Sequence, residues 1–274
     1  MVKKTHGPVS SNLILSLYES NKLIFTPKDV EDITGLKGKQ SYRFIQQLIE
    51  REVILRLKQG KYFIIPQEIG RETNYIGNWY LVAREIANSP LYYISHYSAM
   101  DLHNMLTQPL IKIYITSPKQ ERKKRQTIVN VPFEFIYQKR ERIWGVQEMW
   151  ITNTEKVRVS ELEKTILDCL SKPKYSGGIL EVAKGIGIQR EKINFNRLLD
   201  YIKKLNSNVV AKRIGYILEA LRIGDEDFIN ELKRYINTKY YILDPILAKS
   251  DSFKNDWKLI ANISKEELYK AIQT

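Results

Sequence analysis

Thr26-Pro27-Lys28-Asp29-Val30-Glu31-Asp32-Ile33-Thr34, then Gly35-Leu36-Lys37-Gly38, then Lys39 to Arg51, then Ile54 to Ile65: the order of these words decides the fold of the first part of the chain. They predict a short helix, a glycine turn, a basic helix and a tight hairpin. That order is the layout of a winged helix-turn-helix, a unit that lays one helix in the DNA major groove.

Each word has local chemistry behind it. Thr26 suits an N-cap, and Pro27 suits the first helical position, where its missing N–H is no loss. Asp29 falls in the first turn, where the helix dipole favours an anion. Val30 and Ile33 are spaced to face a core. Gly35 and Gly38 supply the backbone freedom of a sharp turn. In the next helix Tyr42, Ile45, Leu48 and Ile49 are expected to form the apolar stripe. Lys39, Gln40, Ser41, Arg43, Gln46 and Gln47 are the candidate DNA contacts, because such side chains reach base edges and phosphates. Ile54-Leu55-Arg56-Leu57 and Lys61-Tyr62-Phe63-Ile64-Ile65 flank Lys58-Gln59-Gly60, which reads as a β-hairpin. Its Lys58 and Lys61, with Lys37 in the turn, are candidate phosphate contacts. Upstream, Leu13, Ile14, Leu17 and Tyr18 give a preceding helix its apolar face. The same architecture also serves as a protein-binding scaffold, so the basic helix by itself leaves that alternative open.

Working outward, the chain has 274 residues, is 43% hydrophobic and carries a formal charge of +13. That length allows one large domain or two ordinary ones, and that charge favours a polyanionic partner, nucleic acid first. The single cysteine, Cys169, excludes an internal disulfide, and a reducing cytoplasm is expected. No apolar run approaches the length of a membrane span, and Leu13 to Leu17 is too short for a signal-peptide core.

A domain break is expected at Pro66 to Glu72, giving a DNA-binding domain over 1–70 and a larger domain over 71–274. A helix is expected over Asn74–Ile86, and another from Ser95 to His103. Strands are expected at Leu91–Ile94, Ile111–Ile115, Ile128–Tyr137 and Glu148–Ile151. Helices follow at Ser160–Leu170, Ile179–Lys184, Phe195–Leu205, Val209–Leu221 and Asp227–Ile236. The tail ends with a strand at Trp257–Ile260 and a helix from Ser264. Strands early and helices late predict an α+β fold. One charge run, Lys119, Arg122, Lys123, Lys124 and Arg125, is a possible additional basic patch, with Lys139, Arg140 and Arg142 shortly after.

Catalytic constellations are sparse. His96 and His103 lie seven apart, with no Cys or carboxylate pattern at metal-ligand spacing, so structural hydrogen bonds are expected of them. Ser160 and Glu163 read as a capping box, a cheaper role for Glu163 than acid catalysis. Gly177-Gly178 precedes a helix and could cradle phosphate, but it lacks a Walker lysine and reads as a turn. No metal, no cofactor and no enzymatic activity are expected. A metal-dependent nuclease is the alternative of another class.

Several words of the second half resemble the AbiEi antitoxin family of abortive-infection systems. They are Tyr97 to His103; Tyr114 to Pro118 leading into the Arg/Lys run; Val159 to Leu170; Pro173; Gly177-Gly178; Glu181 to Ala183; Arg213 to Glu219; and Trp257 to Asn262. They occur in family order, and the N-terminal winged helix fits the family's layout. Met100 and Asn104-Met105-Leu106 depart from it conservatively. The resemblance implies a transcriptional repressor that binds operator repeats upstream of its own operon. It also implies an antitoxin in a type IV toxin-antitoxin system, opposing a nucleotidyltransferase-like toxin without a stable complex. A stand-alone winged-helix regulator is the alternative within the family.

Overall fold

The computed structural model describes residues 7–65, 79–87, 89–120, 124–128, 130–248 and 253–273. The chain divides into two compact units: residues 1–90 with 127–131 and 148–157, and residues 91–126, 132–147 and 158–274. The break expected at Pro66–Glu72 lies outside the described residues. The architecture is mixed α+β, with eleven α-helices and three sheets among the described residues.

The first unit opens with α1 (Pro8–Glu19), β1 (Ile24–Phe25), α2 (Pro27–Thr34) and α3 (Lys39–Glu50). It continues through β2 (Ile54–Lys58), β3 (Lys61–Ile64) and α4 (Trp79–Ala87). Thr26 caps α2 in a reciprocal box: its hydroxyl accepts from the Asp29 amide, and Asp29 Oδ2 accepts from the Thr26 amide at 2.7 Å. Gly35 ends α2 in the left-handed region at φ 74, as a helix C-terminus favours. β1, β3 and β2 form an antiparallel sheet in that order. One core joins the first three helices to the sheet: Leu13 and Leu17 of α1, Val30 of α2, Ile45 and Leu48 of α3, and Phe25, Ile54 and Tyr62 of the sheet. Phe63 turns the other way and packs its ring 5.8 Å from that of Trp79 on α4. The first residues of the helix expected over Asn74–Ile86 lie outside the described residues.

Beyond α4 the chain carries β4 (Tyr93–Ile94), α5 (His96–Leu102), β5 (Ile113–Ser117), β6 (Arg125–Ile128) and β7 (Val131–Tyr137). Then come β8 (Val146–Trp150), β9 (Lys156–Ser160), α6 (Leu162–Ser171), α7 (Ile179–Ile188), α8 (Phe195–Leu205), α9 (Asn208–Leu221) and α10 (Glu226–Lys233). The chain closes with β10 (Tyr241–Ile242), β11 (Phe253–Lys254), β12 (Leu259–Ala261) and α11 (Lys265–Ala271). Six strands are ordered β6-β7-β5-β4-β9-β8, with β5 parallel to β7 and β4 parallel to β9. The strand expected over Ile128–Tyr137 is broken at Asn130, whose φ of 63 turns the chain between β6 and β7. β10, β12 and β11 make a small separate sheet.

The helices of the second unit share a core that includes Ile166, Leu170, Val182, Leu198, Ile214, Ile217 and Leu268. Gly215 on α9 is required by close approach: a Cβ there would lie 2.1 Å from the Trp257 ring. Arg213 is buried, and its three guanidinium nitrogens donate to the carbonyls of Leu243, Leu170 and Ile242 at 2.9, 2.6 and 3.1 Å. Burial pushes that guanidinium down to about 10, against the pull of nearby Asp244. Cys169 is completely buried, and burial pushes its thiol far up.

Candidate nucleic-acid interface

The turn before α3 is built by one residue. The Glu31 carbonyl accepts from the Gly35 amide at 2.9 Å, and its carboxylate accepts from the Gly38 amide at 3.0 Å. Gly38 holds φ 53 and ψ −122, a backbone that side chains disfavour. α3 therefore starts abruptly at Lys39 from a fixed turn.

Helical periodicity then sorts α3 into two faces. Ser41, Ile45 and Leu48 are buried, with Phe44 and Ile49 half-buried beside them. Lys39, Gln40, Tyr42, Arg43, Gln46, Gln47 and Glu50 are exposed, and Lys37 is exposed in the turn. Two expectations are corrected here. Ser41 is fully buried, and its hydroxyl finds no hydrogen-bond partner among the described residues, so it does not stand on the outer face. Tyr42 is 55% exposed and is not part of the apolar stripe. The reason is angular: at 3.6 residues per turn, a stripe centred on Ser41, Ile45 and Leu48 leaves Tyr42 at its rim. The outer face thus holds two cations, three carboxamides and an aromatic ring, with Glu50 at its far end. Among the described residues neither Lys39 nor Arg43 makes an ion pair.

The hairpin lysines are placed differently. Lys58 and Lys61 face each other across the turn at Gly60. Both reach one carboxylate on α4: Glu85 Oε2 lies 3.2 Å from Lys58 Nζ and 3.6 Å from Lys61 Nζ. Lys58 also donates to the Glu85 carbonyl at 3.4 Å. Arg84 Nε pairs with Glu85 Oε1 at 3.4 Å and Arg84 Nη1 with Glu155 Oε2 at 2.7 Å. Burial pushes the Glu85 carboxyl up, but the Lys58 hydrogen bond and the charges of Lys61, Lys58 and Arg84 outweigh it and hold the group below its ordinary value. Sequence reading missed Glu85 because its role depends on a fold that brings α4 to the hairpin tip.

Of the basic run, Lys119, Lys124 and Arg125 are exposed, while Arg122 and Lys123 lie outside the described residues. Arg125 Nε is 3.4 Å from Glu134 Oε2, which Lys112 Nζ also approaches at 3.2 Å.

The polar groups weighed for other chemistry have structural partners. His103 Nε2 donates to the Ser160 carbonyl at 2.7 Å, and His96 Nδ1 meets Ser95 Oγ at 3.0 Å. Burial pushes His96 down to about 3, against the pull of Asp168. The capping box expected of Ser160 and Glu163 is not formed, because Ser160 ends β9 and α6 begins at Leu162. Ser160 Oγ bonds Thr165 Oγ1 at 2.6 Å instead. Glu163 accepts from the Asn194 amide at 2.8 Å and pairs with Arg197 Nε at 3.0 Å. Ahead of α7, Asp244 Oδ2 accepts from the Ile179 amide at 2.7 Å, so the chain's own carboxylate occupies the helix start after Gly177-Gly178. Asp168 is held by Lys164 and by the Tyr93 hydroxyl at 3.0 Å. Among the described residues no three His, Cys, Asp or Glu side chains gather as a metal cage, and no helix is long and apolar enough to cross a membrane.

No protein-family model matches the chain, and no curated protein matches it. Among solved structures it is similar to the crystal structure of the RV2827C protein from Mycobacterium tuberculosis. The TM-score is 0.69 at 14% sequence identity, over 100% of this chain and 97% of that one. That likeness is one of fold.

Proposed function

We propose that residues 8–65 form a winged helix-turn-helix that binds double-stranded DNA with sequence preference, α3 being the recognition helix. The observation that carries this reading is the outer face of α3, where Lys39, Gln40, Arg43, Gln46 and Gln47 share one exposed side behind a fixed glycine turn. Arg and the carboxamides are the side chains that pair with base edges in the major groove, and Lys39 and Lys37 suit phosphates. Tyr42 adds a ring that can meet a thymine methyl. Lys58 and Lys61 are secondary in this reading, because Glu85 already engages both.

The words shared with the AbiEi family extend the proposal. The chain represses its own operon from repeats upstream of it, and it acts in the cytoplasm as the antitoxin of a nucleotidyltransferase-like toxin, without a lasting complex.

The test is a fluorescence titration of the full chain with the DNA upstream of its gene, against shuffled DNA, across a salt series. Preference for the native sequence and a steep fall with salt are expected. Arg43→Ala should cost about 1–3 kcal/mol and relax preference at one position. Equal affinity for both DNAs would overturn the repressor reading. Co-expression with the adjacent nucleotidyltransferase-like gene tests the second half: DNA binding without rescue of growth leaves a stand-alone regulator.

A further inference from the structure

The ends of two parallel strands in the second unit gather cations that the sequence keeps apart. Ser117, last in β5, is in register with Tyr137, last in β7, and the Gln138 amide donates to the Ser117 carbonyl at 3.0 Å. Lys119 therefore leaves the sheet at the same end as Lys139 and the short 3-10 turn Arg140–Arg142. A third segment arrives from α6: Lys172, just past its C-terminus, donates from Nζ to the Tyr137 carbonyl at 3.5 Å. Two residues on, Lys174 Nζ stands 4.8 Å from the centre of the Tyr175 ring.

The charge balance at this edge is one-sided. Lys119, Lys139, Arg140, Arg142 and Lys174 are exposed and Lys172 is half-buried, while Glu141 is the one exposed acid among the described residues of these segments. Asp168 lies beneath, buried and engaged by Lys164. Burial pushes the Lys172 ammonium below the usual lysine range; Asp168 opposes this, and Lys164, Lys174 and Arg142 add to it. An ammonium crowded by cations in this way gains from an arriving anion. Tyr137, whose carbonyl receives the Lys172 ammonium and which precedes Lys139 by two residues, is 44% exposed.

We propose that this edge binds single-stranded nucleic acid, with phosphates on Lys139, Arg142, Lys172 and Lys174 and a base stacked on Tyr137. The arrangement suits a single strand over a duplex. Strand ends and a one-turn 3-10 helix are too short to follow a groove, whereas an exposed aromatic residue flanked by cationic segments matches unpaired bases on a phosphate backbone. The site shares no residue with α3 and does not depend on the duplex reading.

The experiment is anisotropy of a labelled oligouridylate of about twelve nucleotides, within the usual span of such sites, titrated with the full chain. A duplex of mixed sequence is run in parallel. Lys172→Gln with Lys174→Gln should weaken single-strand binding by about tenfold and flatten the salt dependence by about 0.7 for each phosphate left without its cation. Tyr137→Ala should weaken it with the salt slope unchanged. Arg43→Ala should leave it intact, so a failed duplex arm and a failed single-strand arm are told apart. If half-buried Lys172 proves essential for folding, Lys139→Gln with Lys174→Gln, both exposed, carries the same test. No single-strand binding, unchanged binding in these variants, or a drop in Arg43→Ala instead would overturn the proposal.

Discussion

Glu85 Oε2 stands 3.2 Å from Lys58 Nζ, so the tip of the β2–β3 hairpin is bound to α4 by a carboxylate. The same oxygen lies 3.6 Å from Lys61 Nζ. If the proposed duplex binding uses the hairpin, a phosphate must compete with this carboxylate for the same two ammonium groups. Glu85→Gln removes the competing charge. We expect duplex affinity to rise about threefold to tenfold for every sequence alike, with a salt slope steeper by about 0.9 for each lysine recruited. Affinity that is unchanged in a salt-series titration would show that the hairpin takes no part in binding.

The same carboxylate sets a pH dependence. Burial works against its ionisation, yet Lys58, Lys61 and Arg84 together keep it below the ordinary value of 4.5. A group held low in the folded chain contributes stability that is complete above its unfolded value and fades as pH falls through its folded value. The clamp is thus whole at neutral pH and lost only in acid below about 4.5. Melting curves of the native chain and of Glu85→Gln should differ at neutral pH and converge toward the acid end. A gap that widened on acidification would contradict the ion-pair account.

Gly38 and Gly35 should respond differently to alanine, although both stand in open space. Gly35 occupies the left-handed region at φ 74, ψ −5, where a side chain costs about 1 kcal/mol. Gly38, at φ 53 and ψ −122, lies in a region that suits glycine alone, and Gly38→Ala should cost about 1–3 kcal/mol. Urea unfolding gives both values. Equal costs would mean that the turn relaxes when substituted.

Gly215→Ala should be among the most damaging single changes in the chain. The added carbon would lie 2.1, 2.2 and 2.5 Å from three atoms of the buried Trp257 ring, and the ring is hemmed in by the α9 side of the core. Overpacking of this kind costs about 3 kcal/mol or more when the neighbour is rigid. A midpoint of urea unfolding within error of the native chain would show that Trp257 has room to move.

The sequence reading succeeded where structure is local. Thr26 was legible as the cap of α2 and Asp29 as its first-turn acid, and a helix from Ser264 was legible too; the structure closes both starts into boxes within three residues, Thr26 with Asp29 and Ser264 with Glu267. Helices α3, α8 and α9 were legible from apolar spacing. Short strands were not: β9 and β10 lack a long alternating pattern and are defined by distant partners, Ile94 for Val159 and Leu259 for Tyr241. At the candidate site the cationic face was legible and its rim was not. Ser41 and Tyr42 exchange places because a stripe one residue out of phase satisfies nearly the same apolar positions. Glu31 and Asp244 act on the Gly38 and Ile179 amides, 7 and 65 positions away, and Glu85 acts on a hairpin in another part of the unit. Neighbour rules do not reach that far.

Cys169, the one sulfhydryl of the chain, is sealed within the helical core. Reagents that alkylate thiols in water will therefore pass the native molecule by. A cysteine introduced at exposed Gln46 becomes the sole reactive handle, and a fluorophore coupled there reports what approaches α3 without any background from the rest of the protein.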